Sequence, residues 1–238
     1  MPLSVDDAYL IAADVARLLA QPVLGWKLGA TSSGAQDALG LAAPLAGRIS
    51  VVHRETDRLL AAEMAPLEID AEVVFALGKA IEDEVVWDET TIGSAIDVVY
   101  PALELNRPIY LDPLAWGGAW IIAASGFSAG LVLGAPMTYH HVNGGSTEIG
   151  RVESVTVTTP GGEGERRAAL VWSKALSAAA WLANDRQRRG EPLREGLLVA
   201  TGALIGPIRL VAGDSIDADF GALGRVRCSI SPGAPNAA

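Results

Sequence analysis

The run Ile69-Asp70-Ala71-Glu72-Val73-Val74-Phe75-Ala76-Leu77 limits the choice of fold more than any other segment. It opens with strict alternation and continues with strand-forming residues, so it predicts a β-strand. Alternation places Asp70 and Glu72 on one face of the sheet. Two carboxylates on one face repel unless one is protonated or a cation lies between them. In an apolar run, unpaired charges are also expensive to bury. Glu104 repeats the pattern between Leu103 and Leu105; Pro101 breaks any helix there, so 102–105 reads as extended. Hard divalent cations take oxygen ligands, and three acids in apolar strands suit a facial oxygen triad. The other reading is that these strands expose one wet face and the acids are solvated. Spacing alone leaves both open.

The rest of the chain reads as a strand-rich α+β pattern without the regular strand–helix alternation of a Rossmann domain or barrel. Residues 6–20 carry apolar side chains at helical spacing. Asp6, Asp7 and Asp14 and the lack of a basic start argue against a targeting signal. Gly25 to Gly29 reads as a short strand and Ser33 to Leu39 as a helical turn. Val152 to Thr158, the turn Pro160-Gly161-Gly162, and Ala168 to Trp172 read as a hairpin. Residues 174–189 form the clearest helix. Its terminal Arg186, Arg188 and Arg189 are taken as solvated. Residues 197–201 and 225–230 read as further strands. The stretch 113–147 contains no Asp, Glu, Lys or Arg, but its glycines, serines and Pro136 are too frequent for a membrane span. Leu131-Val132-Leu133, bracketed by glycines, reads as a buried strand.

Half of the 238 residues are hydrophobic, enough for a sizeable core, and one domain spanning 1–238 is expected. Within it, 1–65 would be a helix and lead-in, 66–231 the catalytic core and 232–238 a frayed tail. A net charge of −10 with no basic block argues against a nucleic-acid partner. The single cysteine, Cys228, excludes an internal disulfide framework and fits an inert, half-buried thiol in a reducing, cytoplasmic compartment. The long uncharged stretch suggests a homo-oligomer that buries part of it.

Four further features bear on chemistry. Lys27 lies in Gly25-Trp26-Lys27-Leu28-Gly29; among apolar residues near a metal its pKa would fall and it could move protons, whereas alone it is a snorkelling lysine. Thr201 and Gly202 follow a strand, where a hydroxyl and free amides could grip a carboxylate or simply end the strand. His140 and His141 are adjacent, so on a strand they point apart, and a loop role is expected. Trp116 and Trp120 could form an apolar lid, or belong to core or interface.

Several segments, in order, resemble the 2-keto-4-pentenoate hydratase and 4-oxalocrotonate decarboxylase group of the fumarylacetoacetate hydrolase superfamily. They are the Gly25–Ser32 segment, Pro44-Leu45-Ala46-Gly47-Arg48-Ile49, the Ile69–Gly78 run, Pro101-Ala102-Leu103-Glu104, Trp181-Leu182-Ala183-Asn184, Thr201-Gly202-Ala203-Leu204 and the Gly213–Phe220 segment. The resemblance implies an α+β fold, a mixed β-roll with flanking helices, usually oligomeric. It implies Mg²⁺ or Mn²⁺ held by Asp70, Glu72 and Glu104, and a lyase, hydratase or decarboxylase, acting on an unsaturated 2-oxo acid through a metal-stabilised dienolate. Lys27 would then be catalytic, with Ser125, Lys174, Thr201 and Gly202 at the substrate. There are departures. Asp70 stands where the family usually has Glu. Ala124 to Ala129 replaces an Asp-Asn-Ala-Ser-Ser-Gly run, leaving Ser125 as the polar remnant. Lys174-Ala175 replaces His-Pro, and Leu45 stands where many hydratases carry an acid. These leave open a C–C hydrolase, or a member that binds a ligand or partner without turnover.

Overall fold

The computed structural model of the chain describes residues 3–54, 58–81, 85–109, 112–139, 154–158 and 164–232. Its helices are α1 (Val5–Leu18), α2 (Ser33–Leu39), α3 (Glu89–Gly93), α4 (Pro113–Trp116), α5 (Gly118–Ala123) and α6 (Trp172–Arg188). Its strands are β1 (Gly25–Gly29), β2 (Leu45–Ile49), β3 (Val52–His53), β4 (Arg58–Leu60), β5 (Leu67–Leu77), β6 (Ile96–Asn106), β7 (Ser128–Leu133), β8 (Met137–Thr138), β9 (Ser154–Thr158), β10 (Glu165–Ala169), β11 (Leu198–Ala200), β12 (Ile205–Leu210), β13 (Ser215–Asp219) and β14 (Arg225–Ile230).

Local chemistry sets the element ends. Ser4 caps α1 by accepting from the Asp7 amide at 3.1 Å, and Asp6 and Asp7 suit the positive end of its dipole. Asp88 and Thr91 form a reciprocal capping box on α3. Pro101 falls inside β6 rather than ending it. Its partner Val73 turns its carbonyl to Thr201 on the far side, so the missing proline donor faces the break between β7 and β8 and no bond to β5 is lost.

Among the described residues nine strands form a mixed sheet, ordered β2-β1-β11-β5-β6-β7-β3, with β12 beside β5 and β8 beside β6. Five more form a second sheet, β10-β9-β13-β14-β4. Strands β2 and β3 stand at opposite ends of the first order, yet only Ser50 and Val51 separate them in the chain. The sheet is therefore rolled until its two edges meet. One face is turned inward. Ile49, Val74, Ala102, Leu131, Leu133, Leu198 and Ala200 form a small core of strand residues alone, drawn from five strands. The opposite face carries Trp26, Val73, Phe75, Leu103 and Leu105 into the main core with α1, α6 and the second sheet. The β-roll of the α+β class anticipated from sequence is thus observed.

Three local expectations change. The uncharged stretch yields β7 but also α4 and α5, because Asp112 caps α4 and α5 packs on α1. The hairpin returns over 165–169, and Trp172 opens α6, where it stacks on Phe75 at 6.5 Å between ring centroids. Arg186 is not solvated. It is 0% exposed, lies 4.5 Å over the Tyr9 ring and 4.4 Å over the Trp26 ring, and pairs with Asp185 and Glu191. Arg48 covers the same Trp26 ring at 4.7 Å, so α1, β1, β2 and α6 are bolted together by cation–π contacts. Cys228, expected to be half-buried, is 2% exposed, because it faces the main core from β14. His140 and His141, the hairpin turn and residues 233–238 lie outside the described residues.

Candidate active site

Register explains how the acids come together. On β5 and β6, Asp70 faces Glu104 and Glu72 faces Ala102, so all three carboxylates lie on the inner face of the roll. Lys27 on β1 pairs with Ala200, and Ala200 with Val74, which puts Lys27 on that face too. Strands β11 and β5 separate Lys27 from Glu104 in the sheet, yet Nζ donates to Glu104 Oε2 at 2.7 Å across the inside of the roll. Both side chains are almost fully buried, at 7% and 3% exposure.

Each acid has one oxygen held and one unclaimed. Glu72 Oε2 accepts from the Gly202 amide at 2.6 Å. Glu104 Oε2 accepts from Lys27 and from Asn106 Nδ2, the latter at 3.1 Å. Asp70 Oδ2 also accepts from Asn106 Nδ2, at 3.1 Å. The other oxygens, Asp70 Oδ1, Glu72 Oε1 and Glu104 Oε1, are buried without a hydrogen-bond partner among the described residues, as is Asn106 Oδ1. A buried orphan acceptor is costly, so four on one face form a donor set suited to a hard cation. As they stand, no three of the described His, Cys, Asp and Glu side chains already converge on one ion. The soft terminal torsions of the carboxylates are the freedom that convergence would use.

The electrostatics match an excess of negative charge. Burial, then the Glu104 charge, pushes the Asp70 carboxyl up to about 7. The same two causes hold Glu72 well above the usual glutamate range. Burial alone would depress the Lys27 ammonium, but the charge and hydrogen bond of Glu104, with the charges of Asp70 and Glu72, outweigh it and raise its pKa. The acids are close enough to overcome desolvation; the lowered lysine pKa expected from sequence belongs to a site whose acids are neutralised by a cation.

Glycines admit this packing. A Cβ on Gly206 would lie 1.9 Å from Asp70 Oδ1, and one on Gly47 2.1 Å from the Ser125 carbonyl oxygen. Ser125, Gly126 and Phe127 run at φ of 54°, 65° and 61°, a left-handed turn in which two residues are not glycine. That turn covers Lys27, since a Cβ on Gly126 would sit 2.9 Å from Lys27 Cε.

The other sequence candidates fall as follows. The Ser125 hydroxyl accepts from the Arg48 amide at 3.0 Å, bracing the turn. The Thr201 hydroxyl donates to the Val73 carbonyl at 3.0 Å, and Gly202, at φ 103°, turns its amide onto Glu72. Lys174 is exposed on the first turn of α6, beyond Trp172, whose partner Phe75 faces the main core; the structure does not bring it to the carboxylates. Asn106 was missed, although its place two residues after Glu104 on a strand was the signal. Two open clefts, of about 410 and 310 Å³, share Val23, Arg194 and Leu197 and include none of Asp70, Glu72 and Glu104.

No protein-family profile matches the chain. It is 28% identical over 236 residues to a 2-keto-4-pentenoate hydratase of Paraburkholderia xenovorans, covering 94% of this chain and 83% of that protein. It is 26% identical over 241 residues to a 2-hydroxyhexa-2,4-dienoate hydratase of Comamonas testosteroni, covering 96% and 86%. Among solved structures, 4-oxalocrotonate decarboxylase from Pseudomonas putida G7, complexed with magnesium and adipate, superposes with a TM-score of 0.79 at 21% identity, covering 95% of this chain and 86% of that one. Fumarylpyruvate hydrolase from Pseudomonas aeruginosa, in complex with Mn²⁺ and pyruvate, gives 0.58 at 16% identity, covering 87% and 88%.

Proposed function

We propose, from the relatedness of this chain to the hydratase and decarboxylase group of the fumarylacetoacetate hydrolase superfamily, that it is a divalent-metal-dependent lyase acting on a small unsaturated 2-oxo acid. The observation that carries this is the acid cluster, in which each carboxylate has one oxygen held by an N–H donor and the other buried and unclaimed. Asp70, Glu72 and Glu104 would hold Mg²⁺ or Mn²⁺, which supplies Lewis acidity toward an enolate oxygen when bound. The remaining chemistry belongs to the chain. Lys27 keeps its proton under the charges of the acids, so Nζ can bind a substrate carboxylate or deliver a proton to carbon. The Ser125–Phe127 turn excludes water from the ammonium. Gly202 and Thr201 act by fixing Glu72 and the strand that carries it.

Water addition and loss of CO₂ both suit this arrangement. Steady-state turnover of a panel of unsaturated 2-oxo acids, with Mg²⁺ or Mn²⁺ supplied, separates them and tests the reading. Metal-dependent turnover of a member is expected, and Lys27→Ala should lower kcat/KM at least about a hundredfold, the scale for losing a general acid or base. A ligand-binding role without turnover is favoured by one observation: the Ser125 hydroxyl serves the Arg48 amide instead of facing the acids. Failure of the wild type on every 2-oxo acid would give that role precedence. The catalytic unit is proposed to be a single domain spanning the chain, working as a homo-oligomer in the cytoplasm. Among the described residues no helix is long and apolar enough to cross a membrane.

A further inference from the structure

Asn106 follows Glu104 by two residues on β6, so it lies on the same inner face, beyond the row of acids. It is 7% exposed. Its Nδ2 donates to Asp70 Oδ2 and to Glu104 Oε2, each at 3.1 Å. As metal ligands both carboxylates are ionised and only accept, so Asp70 and Glu104 cannot then bond to each other; one NH₂ group with two hydrogens can serve both. Lys27 and Gly202 each donate to a single acid, whereas Asn106 joins two. The arrangement leaves Asn106 Oδ1 buried and unpartnered, a penalty that an apolar residue at 106 would avoid.

We propose that Asn106 is a positioning residue that sets the spacing of Asp70 and Glu104, and thereby the size of cation the site accepts. The inference rests on the metal-site reading above. Small ions bind at about 2.1 Å and demand a fixed geometry, while Ca²⁺ accepts roughly 2.3–2.6 Å and a looser one. Without the amide bridge the two acids can splay, which penalises the smaller ion more. Loss of an outer partner of a metal ligand typically weakens affinity by about 10–100-fold.

The test is calorimetric titration of the full, chelator-stripped chain with Mn²⁺ and, separately, Ca²⁺, for wild type, Asn106→Leu, Asn106→Ser and Asn106→Asp, each checked for folding by thermal melting. Leu and Ser should each weaken Mn²⁺ by at least about tenfold and Ca²⁺ by less, shifting the affinity ratio toward Ca²⁺. Asp adds a charge but removes the donors, so it should shift the ratio in the same direction. An unchanged ratio in folded Leu or Ser variants, or an Asp variant with tighter Mn²⁺ binding and the wild-type ratio, overturns the inference while leaving the metal site standing. A wild type that binds neither ion overturns the metal site itself, and this inference with it.

Discussion

Replacing Lys27 by methionine keeps an unbranched stem against Gly126 and removes only the ammonium. Lys27 is 5% exposed and Glu104 2%, and their contact at 2.7 Å is the cluster's one ion pair among the described residues. Breaking a buried pair by removing one partner costs about 3–5 kcal/mol, because the other charge stays buried. For a chain of this size each kcal/mol moves the melting temperature by about 2–4 °C, so a fall of about 10 °C is expected. The fall must depend on pH. Asp70 titrates at about 7 in the fold against 3.8 for an unperturbed aspartate. A raised acid binds its proton more tightly folded than unfolded, so this group costs stability as pH rises through the window from about 4 to about 7. Removing the ammonium raises Asp70 and Glu72 further, since its charge lowers both. The loss should be largest at pH 8 and shrink at pH 5.5, where the acids escape by protonation. Circular-dichroism melts in chelator at the two pH values measure this. Equal melting of variant and wild type at pH 8, or the same loss at both pH values, would refute the buried pair. A lysine that only snorkelled would tolerate the change; at 5% exposure Lys27 does not snorkel.

Gly206→Ala should leave a folded protein with weakened divalent-cation binding, since the new Cβ occupies the position 1.9 Å from Asp70 Oδ1; Mn²⁺ titration followed by tryptophan fluorescence would show it. Arg186→Leu should lower the melting temperature by about 10 °C, while Arg188→Leu, whose side chain is 64% exposed, should change it little; equal effects would remove the cation–π bolt from the account. The Cys228 thiol, pushed up to about 12 by burial, should resist a disulfide reagent at pH 8 in the native chain and react fully in denaturant. Leu114, Trp116 and Trp120 are exposed at 62%, 53% and 38%, so light scattering at micromolar concentration should show an oligomer, and Trp116→Lys should weaken it.

How much of this was legible in the sequence follows the range of each interaction. Period-two alternation over 69–77 predicts the strand and the shared face of Asp70 and Glu72, because pleat geometry acts between neighbours in the chain, and Pro101 marks 102–105 as extended. Helix α1 was legible for the same reason. The pairing of β5 with β6, which turns two patterns into one cluster, lies beyond the reach of alternation; family resemblance implied only that the three acids share one ion. Contacts that depend on rolling the sheet were not legible. Lys27 and Glu104 lie 77 residues apart and meet only because the roll brings β1 across from β6. Arg186 looked like a solvated helix end because periodicity reports the polarity of a face, not the aromatic rings that another part of the chain lays on it. Asn106 is the intermediate case. Its face was written in the sequence, but its purpose depends on Asp70 being the residue across from Glu104. A polar residue at i+2 from a buried acid, in an otherwise apolar strand, is therefore a signal to weigh together with the partner strand's register rather than by itself.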